Sequence, residues 1–454
     1  MKVVFIALLS LIFLENFSIA LSENEDNEIG DDKKVVCYFG SWSYYRLGKA
    51  KFTVDDIEPQ LCTHIMYTFF GVHDNGTYKS LDPYLDYSEN DGQGYVSKFI
   101  KLKEKNPSVK LMISIGGWSM GGEMFSNIVS NSTLRKNFIL SVLDLLQKFN
   151  FDGFDFDWEY PKEDEKEKFI KLLKNLKNKL HAAGKLLTIA VGATSSRAQE
   201  SYDIPKIAAE VDFINLMTYD LHGIWDRKTG IHSPLYANDQ LSVDDCVKYW
   251  LAQGCPKHKL IIGIPLYGRS FSLSSTKSYR IGQPISAAGK AGNFLKSADT
   301  AGNLPYNEIC FNINNKKWIR VFAKTEKTPY AYKKDQWVSY DDLQSIDLKL
   351  DYILSKNLGG AMFWSIETDD FGNICGDGKF PLLSLAHRRL ILNDESSENF
   401  ESTENNSSDD EEESTSDECE ESSEEEEEEE NDRNFNVPFF IQIIQKYKQR
   451  AIKS

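Results

Sequence analysis

Histidine is scarce in this sequence, with seven in 454 residues, and none of the seven shows a metal-ligand spacing. A metal-dependent hydrolase is therefore unsupported. Apolar runs of the roughly 20 residues that span a bilayer are missing as well. The nearest approach is residues 3–14, preceded by Lys2 and followed by small residues at Ser18 and Ala20. That is the three-part pattern of a secretory signal peptide, so residues 1–20 are expected to be removed and the mature chain secreted, with no membrane span. Residues 21–34 read as a flexible N-terminal segment.

Basic residues vanish from one stretch. Between Asp394 and Asp432 there are 22 acidic residues and no Lys or Arg, so the net charge of −17 leaves +5 for everything else. The acidity belongs to a tail, and no nucleic-acid-binding surface is indicated. Residues 391–432 cannot bury enough apolar area to fold and are expected to be disordered. Residues 433–454 are basic and amphipathic, with Phe440, Ile444 and Tyr447 on one helical face.

Cysteine is sparse and odd in number: positions 37, 62, 246, 255, 310, 375 and 419. At least one therefore lacks an intramolecular partner. Cys246 and Cys255 flank a helical pattern that would hold them roughly 13 Å apart, beyond the roughly 7 Å reach of a bridge. Asn75-Gly-Thr and Asn131-Ser-Thr are N-glycosylation acceptors compatible with export.

What the chain does have is a rhythm. Short apolar runs at 35–39, 64–70, 110–115, 153–158, 186–191, 213–218, 260–265 and 360–365 alternate with amphipathic segments. Several runs are nearly continuous in apolar residues, as strands buried on both faces should be. Phe169, Leu172, Leu173, Leu176 and Leu180 keep one helical face through a segment rich in Lys and Glu. Eight such units over residues 35–390 point to the α/β class and a (β/α)8 TIM barrel, with a doubly wound open sheet as runner-up. Residues 270–340 break the rhythm between the seventh and eighth strands. They are too long for a structureless loop and are read as a small α+β insertion, with strand-like pieces at 318–323 and 337–339.

The fourth run carries the chemistry. Asp155, Asp157 and Glu159 lie two apart and so face one way on a strand, while Phe154, Phe156 and Trp158 face the other. Carboxyl groups crowded inside a barrel cannot all ionise, so at least one pKa must rise. Glu159 falls at the C-terminal strand end, where barrel enzymes keep their active sites. Asp152 is out of phase and is given no catalytic role.

Asp152-Gly-Phe-Asp-Phe-Asp-Trp-Glu159 resembles the active-site signature of glycoside hydrolase family 18, the chitinases and their non-catalytic lectin relatives. The similarity extends to Ser114-Ile-Gly-Gly117-Trp118, to Met217-Thr-Tyr219-Asp220-Leu-His-Gly-Ile-Trp225, to Pro265-Leu-Tyr267-Gly-Arg269, to Gly360-Ala-Met362-Phe-Trp364, and to the opening Cys37-Tyr38-Phe-Gly-Ser-Trp42 and Cys62-Thr-His. The resemblance implies a chitin-cleaving hydrolase in which the substrate's own acetamido oxygen is the nucleophile. Glu159 would be the general acid and base, Asp157 would orient the acetamido group, Asp155 would share a proton with Asp157, and Tyr219 would donate to the acetamido oxygen. Trp42, Trp118, Trp225 and Trp364 would be stacking platforms. Tyr38, Gly117, Tyr160, Met217, Asp220, Tyr267, Arg269 and Met362 would line the substrate cleft, with Tyr84 a further candidate. It also implies disulfides Cys37–Cys62 and Cys310–Cys375, leaving Cys246, Cys255 and Cys419 unpaired. No cofactor and no metal is implied, and the expected partner is chitin or its oligosaccharides, bound by a monomer. A lectin-like relative without hydrolysis and an endo-β-N-acetylglucosaminidase acting on N-glycans are the competing readings. The retained Glu159 argues against the first, and the full tryptophan set against the second. Many secreted relatives end in a cysteine-rich chitin-binding module; this chain has the acidic tail instead.

Overall fold

The computed structural model describes residues 33–295 and 300–393. The expected signal segment, most of the N-terminal segment, the acidic stretch from residue 394, Cys419 and the basic C-terminal segment lie outside the described residues. Seven parallel strands come first: β1 (Lys34–Gly40), β2 (His64–Val72, extended by the short antiparallel β3, Tyr78–Ser80), β4 (Lys110–Gly116), β5 (Gly153–Asp157), β6 (Leu186–Gly192), β7 (Phe213–Met217) and β8 (Leu260–Pro265). An antiparallel sheet follows, built from β9 (Tyr267–Leu273), β10 (Ile285–Ala288), β11 (Asn303–Pro305), β12 (Ile319–Ala323), β13 (Thr328–Lys333) and β14 (Gln336–Ser339), with a helix at Tyr306–Lys316. β15 (Gly360–Trp364) then pairs with both β8 and β1, and the eight parallel strands close into a (β/α)8 barrel. The eight apolar runs of the sequence are these eight strands.

Each strand is buried on both faces because helices cover the outside and side chains fill the inside. Every residue of β8 is buried. Outward-pointing Phe154 and Phe156 of β5, with Trp158 directly after it, pack among Phe125, Phe138 and Phe169 of the surrounding helices. The helix at Lys166–Ala182 buries the five apolar residues its periodicity singles out. Asn131 starts the helix at Ser132–Phe149 by accepting from the Thr133 and Leu134 amides, satisfying donors that would otherwise be orphaned.

Cys37–Cys62 and Cys310–Cys375 are disulfides, while Cys246 and Cys255 are free and buried, burial pushing both thiols up to about 12. No helix among the described residues is long and apolar enough to cross a membrane. The insertion is larger than its strand-like pieces suggested. Its sheet starts at Tyr267, directly after β8, and has six strands. Pro329 reads against a strand interior, yet it sits at the end of β13, beyond the ladder with β14 that begins at Tyr330.

Candidate active site

The barrel interior is apolar below, where Val36, Met66, Met112 and Ile261 pack together, and acidic on β5. Register pairs Ser114 of β4 with Asp155, and Gly116 with Asp157. Two glycines make this approach possible. A Cβ on Gly116 would lie 1.8 Å from the Asp157 carbonyl oxygen, and one on Gly117 would enter the Phe69 ring. Both have φ in the region that favours glycine, 131° and 80°. The Gly117 amide donates to that same Asp157 carbonyl at 2.8 Å.

Asp155 is fully buried and surrounded by neutral donors. Tyr38 and Ser114 hydroxyls donate to its Oδ2, each at 2.8 Å; Thr188 donates to Oδ1 at 2.7 Å and Asn215 Nδ2 at 3.3 Å. Burial raises its pKa, and these four hydrogen bonds pull against the rise. Asp157 has no such support, since its Oδ1 is buried without a hydrogen-bond partner. Burial, followed by the charges of Glu159 and Asp155, holds it well above the carboxylate range. Glu159 is pushed up to about 7, first by burial and further by Asp220, against hydrogen bonds from Tyr160 and the Trp118 amide. The three acids thus face unequal surroundings, and the outer two favour the protonated form.

A second cluster borders the first. Asp220 follows β7 with φ 56°. Its Oδ1 accepts from Tyr267 Oη and Arg269 Nε, both at 2.7 Å, and Oδ2 pairs with Arg269 Nη2. Burial works against its ionisation, but the Arg269 guanidinium outweighs it and holds the carboxyl far below the usual range. Tyr267 and Arg269 lie on β9, so the insertion supplies part of this cluster. Tyr219 turns its hydroxyl toward Met362 Sδ, 3.9 Å away, and Met217 packs at the edge of the barrel interior.

Aromatic side chains collect at the strand ends. Trp364 lies 5.6 Å from Tyr38, 5.7 Å from Phe69 and 6.3 Å from Trp42, ring centre to ring centre. Trp118 and Trp225 are 66% and 57% exposed. Arg269 sits 5.9 Å from the Trp225 ring, and Arg197 lies 4.6 Å over Tyr160. Tyr84 is exposed, its hydroxyl accepting from Gln93.

The structure therefore brings Asp155, Asp157, Glu159, Tyr160, Tyr219, Asp220, Tyr267 and Arg269 into one electrostatic neighbourhood. Tyr38 and Met362 are 1% exposed, buried beneath it rather than open to a ligand. Asp152 binds Lys103 and the Leu111 amide, away from the row. Asn75 and Asn131 are exposed, their Oδ1 atoms occupied by local hydrogen bonds. Thr188, Asn215, Phe69 and His232 were not singled out in the sequence. The first two carried a signal: a polar residue inside an apolar strand, in phase with inward positions.

The model of glycosyl hydrolases family 18 matches residues 34–369. An endochitinase of Manduca sexta is 37% identical over 79% of this chain and 67% of its own length. The crystal structure of a group IV chitinase from Ostrinia furnacalis matches at 42% identity and a TM-score of 0.76, over 79% of this chain and all of that one. Human YKL-39, described as a pseudo-chitinase that retains chitooligosaccharide binding, matches at 36% identity and a TM-score of 0.73, over 79% of this chain and 99% of that one.

Proposed function

The chain belongs to glycosyl hydrolases family 18, and on that premise we propose that it hydrolyses internal β-1,4 linkages of chitin with retention of configuration. The observation that carries this reading is the unequal acid row, in which Glu159 is held up to about 7 beside a buried Asp157 that burial and its acidic neighbours push well above the carboxylate range. Glu159 gives its proton to the glycosidic oxygen as the bond to the anomeric carbon breaks. The acetamido oxygen of the same sugar forms the new bond to that carbon. Asp157 accepts from the acetamido N–H, and Asp155 supplies negative charge behind it. Water then attacks the anomeric carbon from the face the leaving group vacated, surrenders a proton to Glu159, and the acetamido group is restored.

Tyr219 donates to the acetamido oxygen, and Trp364 floors the reacting sugar. Trp42, Trp118 and Trp225 extend the platform along the chain. Tyr38 acts through Asp155. Export is part of the proposal, supported by two disulfides among the described residues.

Incubating the full chain and a Glu159→Gln variant with chitotetraose tests the reading. Wild type should release N-acetylglucosamine dimers, and the variant should be slower by about 10²–10⁴-fold, the range for a general acid. Binding without cleavage by the wild type would instead make this a lectin-like member.

A further inference from the structure

His232 is buried completely, and neither ring nitrogen has a hydrogen-bond partner of ordinary length. Orphaned buried polar atoms are costly, so a histidine here needs a reason. Its Nδ1 lies 3.5 Å from Asp220 Oδ1, and its ring 5.2 Å from Tyr267. The segment carrying it is anchored on both sides. The Leu221 amide donates to the His232 carbonyl at 2.9 Å, and the His232 amide to Ser339 Oγ at 3.2 Å. Next in sequence, Ser233 Oγ donates to the carbonyl of Thr218 at 2.8 Å. The buried Lys349 holds Ser233 from behind, donating to its carbonyl at 2.7 Å, to its Oγ at 2.9 Å and to Asp341 at 2.7 Å. Residues 232–233 therefore grip the chain on either side of Tyr219 and Asp220, without touching the carboxylate row.

We propose that His232 is a positioning residue for Asp220: a neutral imidazole whose Nδ1–H is held in reserve and closes onto that carboxylate when a sugar engages the site. The inference rests on the functional reading above for what occupies the cleft. Asp220 Oδ1 can only accept, so a bare Nδ1 would set two lone pairs against each other, and the proton belongs on Nδ1. Burial favours the uncharged ring, against Asp220 and Asp341, which favour the charged one; Arg269 sides with burial. Hydrogen bonds in a catalytic site commonly tighten only when substrate binds. Because Asp220 raises the Glu159 pKa, a misplaced Asp220 would reach the general acid.

The test uses His232→Leu and His232→Asn in the full chain. The one polar contact of this side chain in the resting fold is the long one to Asp220, so both variants should stay close to the wild-type Tm. On chitotetraose, kcat of the Leu variant should fall about tenfold with KM little changed, the low end for losing a bond to a charged group. Asn restores a donor and should recover kcat to within about threefold of wild type by the same reasoning. Independently of turnover, the imidazole nitrogen NMR spectrum at pH 7 should show His232 protonated at Nδ1 and bare at Nε2, and Asp220→Asn should move the Nδ1 resonance. Unchanged kcat in the Leu variant overturns the proposal, as does a proton on Nε2. So does an equal loss in both variants with a lowered Tm, which is packing alone. If the wild type binds chitotetraose without cleaving it, the functional reading fails, while the tautomer and its response to Asp220→Asn still decide this one.

Discussion

At the scale of single residues, the site is governed by which acid keeps its proton. With Glu159 held up to about 7, kcat/KM should fall as pH rises through about 7, because only the protonated form can donate. A pH series on chitotetraose checks this. Asp220→Asn removes a charge that favours the proton, so the descending limb should move to lower pH in that variant. Trp364→Ala should raise KM about tenfold, the scale of one lost aromatic contact, and lower kcat as the sugar loses its seat. Isothermal titration with chitotetraose separates the two effects. The acid row itself was legible in the sequence, because period-two spacing fixes a face. The convergence of four donors on Asp155 was not, since Tyr38, Ser114, Thr188 and Asn215 come from four strands and meet only on closure.

At the scale of elements, β4 and β5 meet through glycine. Gly116→Ala would drive a methyl group into the Asp157 carbonyl oxygen and should cost about 3 kcal/mol or more in chemical denaturation, since backbone cannot yield cheaply. Removing Cys37–Cys62, which spans 25 residues, should cost roughly 3 kcal/mol by loop-closure entropy. The barrel strands were readable because burial on both faces makes them continuous apolar runs. The insertion was read only in part. β10 and β11 are short, and β13 has a proline as its second residue, so neither alternation nor propensity marks them; cross-strand pairing does.

For the whole molecule, the raised acids make stability depend on pH with a definite sign. Glu159 rises from 4.5 to about 7 and Asp369 from 3.8 to about 7, burial being the first cause of each. Such groups stabilise fully below their unfolded pKa and lose that contribution as pH climbs to about 7. Asp220, held low by Arg269, works oppositely and fails only in strong acid. Thermal melts should therefore decline from about pH 4 to about pH 7. Glu159→Gln should be more stable than wild type above pH 7, by about 1–2 kcal/mol once its partial exposure is discounted.

The Cys310–Cys375 bridge also has a consequence. It fastens the helix at Tyr306–Lys316 to the loop beyond β15, while Lys349 fastens the turn after β14 to Ser233. The insertion is thus stapled at two places besides its own chain ends. Under the proposed reading, a flank secured in this way should resist hinging outward, so that most of the bending the reaction needs falls to the sugar chain.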